Sequence, residues 1–100
     1  MKKIYLFCSA GMSTSLLVAK MREVAKQMNY DAEIIAYAVS EIDRYGAQAD
    51  IILLGPQVRF KLKSIEAKFP NIPVRLMDIQ DYGRINGENI IKTVRKVLGD

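Results

Sequence analysis

Short apolar runs alternate with helical repeats along this chain, and this alternation restricts its fold more than any other feature. Apolar runs of strand length occupy residues 3–7, 33–38, 50–54 and 74–77. Apolar residues recur at helical spacing over residues 13–28, 58–69 and 88–98, and a short capped helix is expected to end near Gly46. Such alternation favours a parallel sheet with helices on both faces, joined by right-handed crossovers. The sequence therefore predicts an α/β fold with an open four-stranded parallel sheet in the order 2-1-3-4.

Residues that are typical of helix ends support the predicted limits of the first and last long helices. Ser13 is expected to cap the first long helix, and Asn29 to end it. Gly99 follows the last helical repeat, where a glycine commonly ends a helix.

The predicted strand order also predicts where a site lies. In an open parallel sheet, ligands bind beyond the carboxyl ends of the strands, at the point where the strand order reverses. In the order 2-1-3-4 this point lies between the first and third strands. We therefore expect the loops after Phe7 and Leu54 to frame the site, with Cys8 beside Gly55, Pro56 and Gln57.

Composition limits the chemistry further. With 100 residues, the chain is expected to form one domain, residues 1–100. It has one cysteine and no histidine, which excludes an internal disulfide, a zinc site and any Ser-His-Asp or Cys-His pair within the chain. We expect no metal ion and no cofactor. No apolar run approaches the roughly twenty residues of a membrane helix, so we expect a soluble, cytoplasmic protein without direct membrane insertion.

The net charge of +4 would suit nucleic acid, an acidic protein partner or no specific partner. No aromatic-rich basic stripe accompanies it, so nucleic acid is not an expected ligand. The densest basic stretch contains Arg59, Lys61 and Lys63. It is a candidate rim of a surface that binds an acidic partner, and the alternative is that it lies on the far side of the molecule.

The segment after the first strand has the composition of a phosphate-binding loop. Cys8 ends the apolar run and is followed by Ser9, Ala10, Gly11, Met12, Ser13, Thr14 and Ser15. In this interpretation Cys8 attacks as a thiolate, backbone N–H groups from about residue 10 to residue 15 hold the phosphoryl oxygens, and the hydroxyls add hydrogen bonds. The positive end of the following helix is expected to lower the pKa of the Cys8 thiol. The alternative is that Cys8 is a small buried apolar residue and that the hydroxyl residues cap the helix.

Two residues elsewhere are candidates for contacts around this loop. Gln57 is expected across the switch point from Cys8, and Asp78 follows the fourth strand. A carboxylate at the end of a strand often caps a turn or helix instead, and this alternative applies to Asp78 and to Asp81. Tyr82 adds a hydroxyl without an assigned use.

Together these motifs resemble a known family. The start KIYLFCSAGMSTSLLV, the later ADIILLGPQ and the region of Asp78, Tyr82 and Gly83 are similar to enzyme IIB subunits of the bacterial phosphoenolpyruvate:sugar phosphotransferase system (PTS), of the lactose/cellobiose/chitobiose type. The resemblance implies that Cys8 accepts a phosphoryl group from a histidine of the partner enzyme IIA. It also implies transfer to a β-linked disaccharide of the cellobiose or chitobiose class, imported through the membrane permease enzyme IIC.

Two alternatives remain open from the sequence. Low-molecular-weight tyrosine phosphatases and arsenate reductases also begin a phosphate loop with cysteine, but they close it with an arginine at the position of Thr14. Without that guanidinium, efficient phosphoester hydrolysis is not expected. A non-catalytic flavodoxin-like binding module is disfavoured because the chain has no tryptophan.

Overall fold

Four parallel strands form the centre of the molecule. A computed structural model describes residues 1–9 and 12–100, and for residues 12 and 13 it describes the backbone alone. The strands are β1 (Lys2–Cys8), β2 (Ala32–Ala38), β3 (Ile51–Leu54) and β4 (Val74–Leu76), and they lie in the order β2-β1-β3-β4. All three strand pairs are parallel. The predicted fold class and strand order are confirmed.

Five α-helices connect or follow the strands in the described residues. They are α1 (Met12–Gln27), α2 (Ile42–Tyr45), α3 (Leu62–Lys68), α4 (Ile79–Gly83) and α5 (Gly87–Leu98). Short 3₁₀ segments occupy Val39–Glu41, Gly46–Gln48 and Pro56–Lys61. None of the helices in the described residues is long and apolar enough to cross a membrane.

The side chains of β1 alternate between two apolar cores, as the pleat of a strand requires. Ile4, Leu6 and Cys8 pack on the face covered by α1 and α5. Tyr5 and Phe7 pack on the opposite face, in the core that contains Ile42 of α2 and Ile65 of α3. Because both faces are covered, β1 and β3 are almost continuously apolar.

Helix limits differ from the predictions where local backbone geometry overrides periodicity. The predicted helix over residues 58–69 begins as a 3₁₀ segment, because Pro56 follows the strand closely and Val58 has non-helical angles (φ −114°, ψ 22°). The first long helix begins at Met12, one position before the predicted cap Ser13. Helix α4 was not predicted, because five residues are too few for a helical repeat to be recognised. Asn29 and Gly99, with φ of 54° and 75°, lie after α1 and α5 as expected.

Candidate functional site

Cys8 is the last residue of β1, at the point where the strand order reverses. It pairs in register with Ala38 of the edge strand β2, while β3 lies on the other side of β1. The side chain is 2% exposed and packs in the core under α1 and α5. The predicted position at the switch point is therefore confirmed, and the thiol lies just below the surface.

Gly55, the residue that follows β3, lies close to Cys8. Its backbone N–H donates a hydrogen bond of 3.0 Å to the carbonyl of Phe7, which holds the end of β3 against the end of β1. A Cβ at position 55 would lie 2.9 Å from the Cys8 Sγ and 2.5 Å from the Gln57 Oε1. A side chain cannot fit there without displacing the thiol or the amide. Cys8, Gly55 and Gln57 are thus neighbours, as the strand order predicts.

A shallow cavity opens beside Cys8. Its volume is about 180 Å³, and the residues lining it are Cys8, Ser9, Thr14, Ser15, Ala36, Tyr37 and Ala38. The structure therefore brings together three hydroxyl residues of the predicted loop around the cysteine. Of the remaining loop residues, Ala10 and Gly11 lie outside the described residues, as do the side chains of Met12 and Ser13.

Thr14 and Tyr82 form a buried hydrogen bond above the thiol. Their hydroxyl oxygens are 2.7 Å apart, and the two residues are 5% and 8% exposed. The bond joins the first turn of α1 to α4. This pairing was not predicted, because a contact between positions so far apart in the chain leaves no local pattern in the sequence. The one available signal was the placement of Tyr82 shortly after the end of a predicted strand.

The environment of Cys8 has opposing effects on its acidity. Burial raises the pKa of the Cys8 thiol above its ordinary value, and this is the largest effect. Hydrogen bonding to the Thr14 hydroxyl, the Gly55 backbone and the Tyr82 hydroxyl partly offsets it. The expectation of a lowered pKa is therefore wrong, because removal of water from a buried thiolate outweighs its hydrogen bonds. In the free protein the thiol is mostly protonated near neutral pH.

Asp78 and Asp81 have structural contacts in the fold. The Asp78 carboxylate accepts hydrogen bonds from the backbone N–H groups of Gln80 and Asp81, at 2.9 and 3.1 Å, and thereby caps α4. The Asp81 carboxylate accepts a hydrogen bond of 2.6 Å from the side-chain amide of Asn89. The capping alternative left open by the sequence thus describes the contacts of Asp78. Its cap fixes the start of the helix that carries Tyr82.

Comparison with known proteins gives one consistent family. A family model described as "PTS system, Lactose/Cellobiose specific IIB subunit" matches residues 3–93. The chain is 43% identical to the oligo-beta-mannoside-specific PTS EIIB component of Bacillus subtilis, over 88% of this chain and 87% of the relative. It is 36% identical to the galactose-specific PTS EIIB component of Lactococcus lactis subsp. cremoris, over 97% and 96%.

A solved structure agrees with these sequence matches. It is the solution structure of a cellobiose-specific phosphotransferase IIB component from Borrelia burgdorferi, to which the chain is 38% identical. The match has a TM-score of 0.74 and covers 91% of this chain and 85% of the other.

Proposed function

The chain belongs to the lactose/cellobiose-specific IIB family of the PTS and is a phosphotransferase of that system, and from this premise we propose that Cys8 is its phosphoryl carrier. The observation that carries the proposal is the position of Cys8 at the switch point, in a cavity shared with Ser9, Thr14 and Ser15. A nucleophile at this place faces the group that the following loop and helix end can bind.

In the first proposed step, the Cys8 Sγ attacks the phosphorus of a phosphohistidine on enzyme IIA. The P–S bond forms as the P–N bond breaks, and the thiol proton goes to the leaving imidazole nitrogen. The backbone N–H groups and hydroxyls of residues 9–15 hold the phosphoryl oxygens during transfer. This chain has no histidine, so the donor histidine must come from the partner.

In the second step, a sugar hydroxyl attacks the phosphorus. The P–O bond forms, the P–S bond breaks, and the hydroxyl proton returns to the sulfur. We propose that the acceptor is a β-linked disaccharide of the cellobiose or chitobiose class, presented by the permease enzyme IIC. Support comes from the cellobiose-specific and oligo-beta-mannoside-specific names of two relatives, and the galactose-specific relative makes galactose the competing acceptor.

The raised pKa of Cys8 is consistent with a carrier that acts only when its partner is bound. A protonated, 2% exposed thiol is a poor nucleophile towards other reagents. Docking of the phosphohistidine supplies both the electrophile and the nitrogen that takes the thiol proton. Gln57, whose amide oxygen lies close to the Gly55 position, is proposed to contact the phosphoryl group from the β3 side.

The phosphatase alternative has less support. At the position where phosphatases have arginine, this chain has Thr14, whose hydroxyl is hydrogen-bonded to Tyr82. No guanidinium occupies that place to clamp a phosphoryl group during hydrolysis. We also propose that residues 1–100 form one IIB domain that acts in the cytoplasm, where enzyme IIA meets it.

Intact-protein mass spectrometry at mildly basic pH tests the carrier role. The chain is incubated with phosphoenolpyruvate, the general PTS proteins and an enzyme IIA of this type. We expect one phosphoryl adduct on the wild type and on Ser64→Ala, an exposed control on α3, and none on Cys8→Ser. An adduct of equal yield on folded Cys8→Ser would overturn the proposal, and so would turnover of an aryl phosphate without any adduct.

The acceptor is tested separately with membrane vesicles that contain enzyme IIC. The phosphorylated chain is mixed with vesicles and with cellobiose, chitobiose or galactose, and sugar phosphate is measured. We expect product from cellobiose or chitobiose. Product from galactose alone would contradict the proposed sugar class.

A further inference from the structure

An exposed apolar groove adjoins the Cys8 site. It has a volume of about 610 Å³ and is lined by Pro56, Gln57, Arg59, Phe60, Ile79, Tyr82 and Gly83. Phe60 and Ile79 are 76% and 65% exposed, which is unusual for two large apolar side chains beside one groove. Contiguous exposed apolar surface of this kind marks a site of interaction.

The sheet topology explains why this surface lies near the cysteine. Phe60 lies in the 3₁₀ segment after β3, and Ile79 begins α4 after β4. Both segments leave the carboxyl edge of the parallel sheet, where Cys8 ends β1. Leu16, which is 58% exposed in the early part of α1, leaves the same edge. Leu16, Phe60 and Ile79 are thus exposed apolar residues at the edge of the candidate site, whereas Met1, which is 74% exposed, precedes β1 at the opposite edge.

The groove is continuous with the site through two residues. Tyr82 lines the groove and also bonds to Thr14, which lines the Cys8 cavity. Gln57 lines the groove, and its amide oxygen approaches the same point beside Gly55 as the Cys8 Sγ. An occupant of the groove therefore lies against the residues that surround the thiol.

The charge of the groove selects among occupants. Arg59 is the one charged residue among those lining it, all of which the structure describes. Lys61 and Arg84 adjoin the lining residues Phe60 and Gly83 in the chain, and Asp78 and Asp81 adjoin Ile79 and Tyr82. The hydrogen bonds that Asp78 and Asp81 accept do not remove the charge of a carboxylate, so beside the groove basic and acidic residues both occur. The charge that lines the groove itself is that of Arg59, which fits an acidic group on the occupant.

Two other occupants fit this charge poorly. A second copy of this chain in a two-fold contact would place the same basic lining residue, Arg59, on both sides of the contact. The cytoplasmic loops of membrane proteins carry an excess of lysine and arginine, so the permease would also present like charge.

We propose that this groove docks the protein that donates the phosphoryl group, enzyme IIA, through an apolar patch with an acidic rim on that partner. The inference rests on the proposed function for the identity of the partner. Phe60 and Ile79 form the apolar centre of the contact, and Arg59 forms part of its charged rim. An occupant of the groove contacts Gln57 and Tyr82 and therefore lies beside the cavity in which Cys8 receives the phosphoryl group.

Isothermal titration calorimetry with unphosphorylated enzyme IIA tests the groove. All variants carry Cys8→Ser, so that binding is measured without transfer, and thermal unfolding confirms that each is folded. We expect the Phe60→Ala/Ile79→Ala double variant and Arg59→Glu each to raise the Kd at least about tenfold. Lys92→Glu on α5 makes the same change in net charge away from the groove, and its Kd is expected to stay within about twofold of the reference.

Three results would overturn the proposal. The first is an unchanged Kd for the groove variants. The second is a dimer of the wild-type chain in sedimentation that the double variant abolishes, which would assign the groove to a second copy. The third is that the groove variants accept phosphoryl groups from enzyme IIA at the normal rate but no longer transfer them to sugar in vesicles. This result would assign the groove to the permease.

Failure of the groove and failure of the carrier role give different results. If binding of enzyme IIA depends on the groove but Cys8 acquires no phosphoryl group, the carrier role fails and the docking surface stands. If Cys8 is phosphorylated, and the groove variants match the wild-type rate at subsaturating enzyme IIA, the docking surface fails and the carrier role stands.

Discussion

The Thr14 and Tyr82 hydroxyls, 2.7 Å apart, form a buried hydrogen bond between the first turn of α1 and α4. The bond fixes the start of α1 relative to the segment that follows β4. It also places two hydroxyls beside the Cys8 sulfur, where both favour the thiolate. A contact made for tertiary structure thus also affects the chemistry of the site.

Cys8 is expected to react slowly with alkylating reagents near neutral pH. Because burial raises its pKa, the thiolate fraction at a given pH is smaller than that of a free thiol, and the rate increases only as the pH rises further. The measurement is the rate of iodoacetamide modification by mass spectrometry between neutral and alkaline pH, with N-acetylcysteine as the reference. A midpoint at or below that of the reference contradicts the prediction.

Tyr82→Phe is expected to move the alkylation midpoint of Cys8 to still higher pH. The variant removes a hydroxyl that lowers the pKa of Cys8 and leaves the ring in the core. Loss of one hydrogen bond to the sulfur should also slow phosphoryl acceptance by about threefold to tenfold. Tyr45→Phe is the control, because Tyr45 stacks on Tyr37 in the other core. Equal midpoints for both variants would show that the Tyr82 hydroxyl does not act on the sulfur.

Gly55→Ala is expected to impair phosphoryl acceptance at Cys8. The added methyl would lie 2.9 Å from the Sγ, so the thiol must move from its position. Since transfer needs an in-line geometry, we expect the rate at saturating enzyme IIA to fall at least about tenfold. Rapid-quench phosphorylation measures this rate, and circular dichroism checks the fold. A folded variant with the wild-type rate would show that the close approach of Gly55 is unimportant.

Asp78→Ala tests the helix-cap role against a role in transfer. Loss of the two N–H contacts should reduce the free energy of unfolding by about 1 kcal/mol. Asn86→Ala, which removes the corresponding cap of α5, is the matched control for urea unfolding. We expect the two variants to accept phosphoryl groups at similar rates. A selective loss of transfer in Asp78→Ala would instead place the carboxylate beside the phosphoryl group.

Gly87→Ala is expected to loosen the packing of α5 on α1. A Cβ at this position would lie 2.9 Å from the backbone nitrogen of Met21, which cannot move independently of its helix. The expected loss in the free energy of unfolding is about 1 to 3 kcal/mol. Gly83→Ala is the control, because its Cβ would meet no atom within 4 Å, and a change within about 0.5 kcal/mol is expected. Thermal or urea unfolding that ranks the two variants equally contradicts this packing argument.

The sequence alone was sufficient to predict the sheet, its order and the position of Cys8. Apolar runs buried on both faces, separated by helical repeats, are compatible with few topologies, and the right-handed crossover rule reduces them further. The end of β1 and the end of β3 then had to meet at the switch point, so the proximity of Cys8 and Gly55 followed from pattern and topology.

The tertiary structure decided the environment of the thiol and the surface around it. The Thr14–Tyr82 bond and the Phe60–Ile79 groove each join residues from different segments, and no local pattern records such pairs. The direction of the pKa shift of Cys8 was predicted wrongly, because the sequence shows the helix end but not the depth of burial. The burial of Cys8 depends on every residue that packs around it in the folded chain. Loss of water around the buried thiolate raises its pKa by more than its hydrogen bonds lower it.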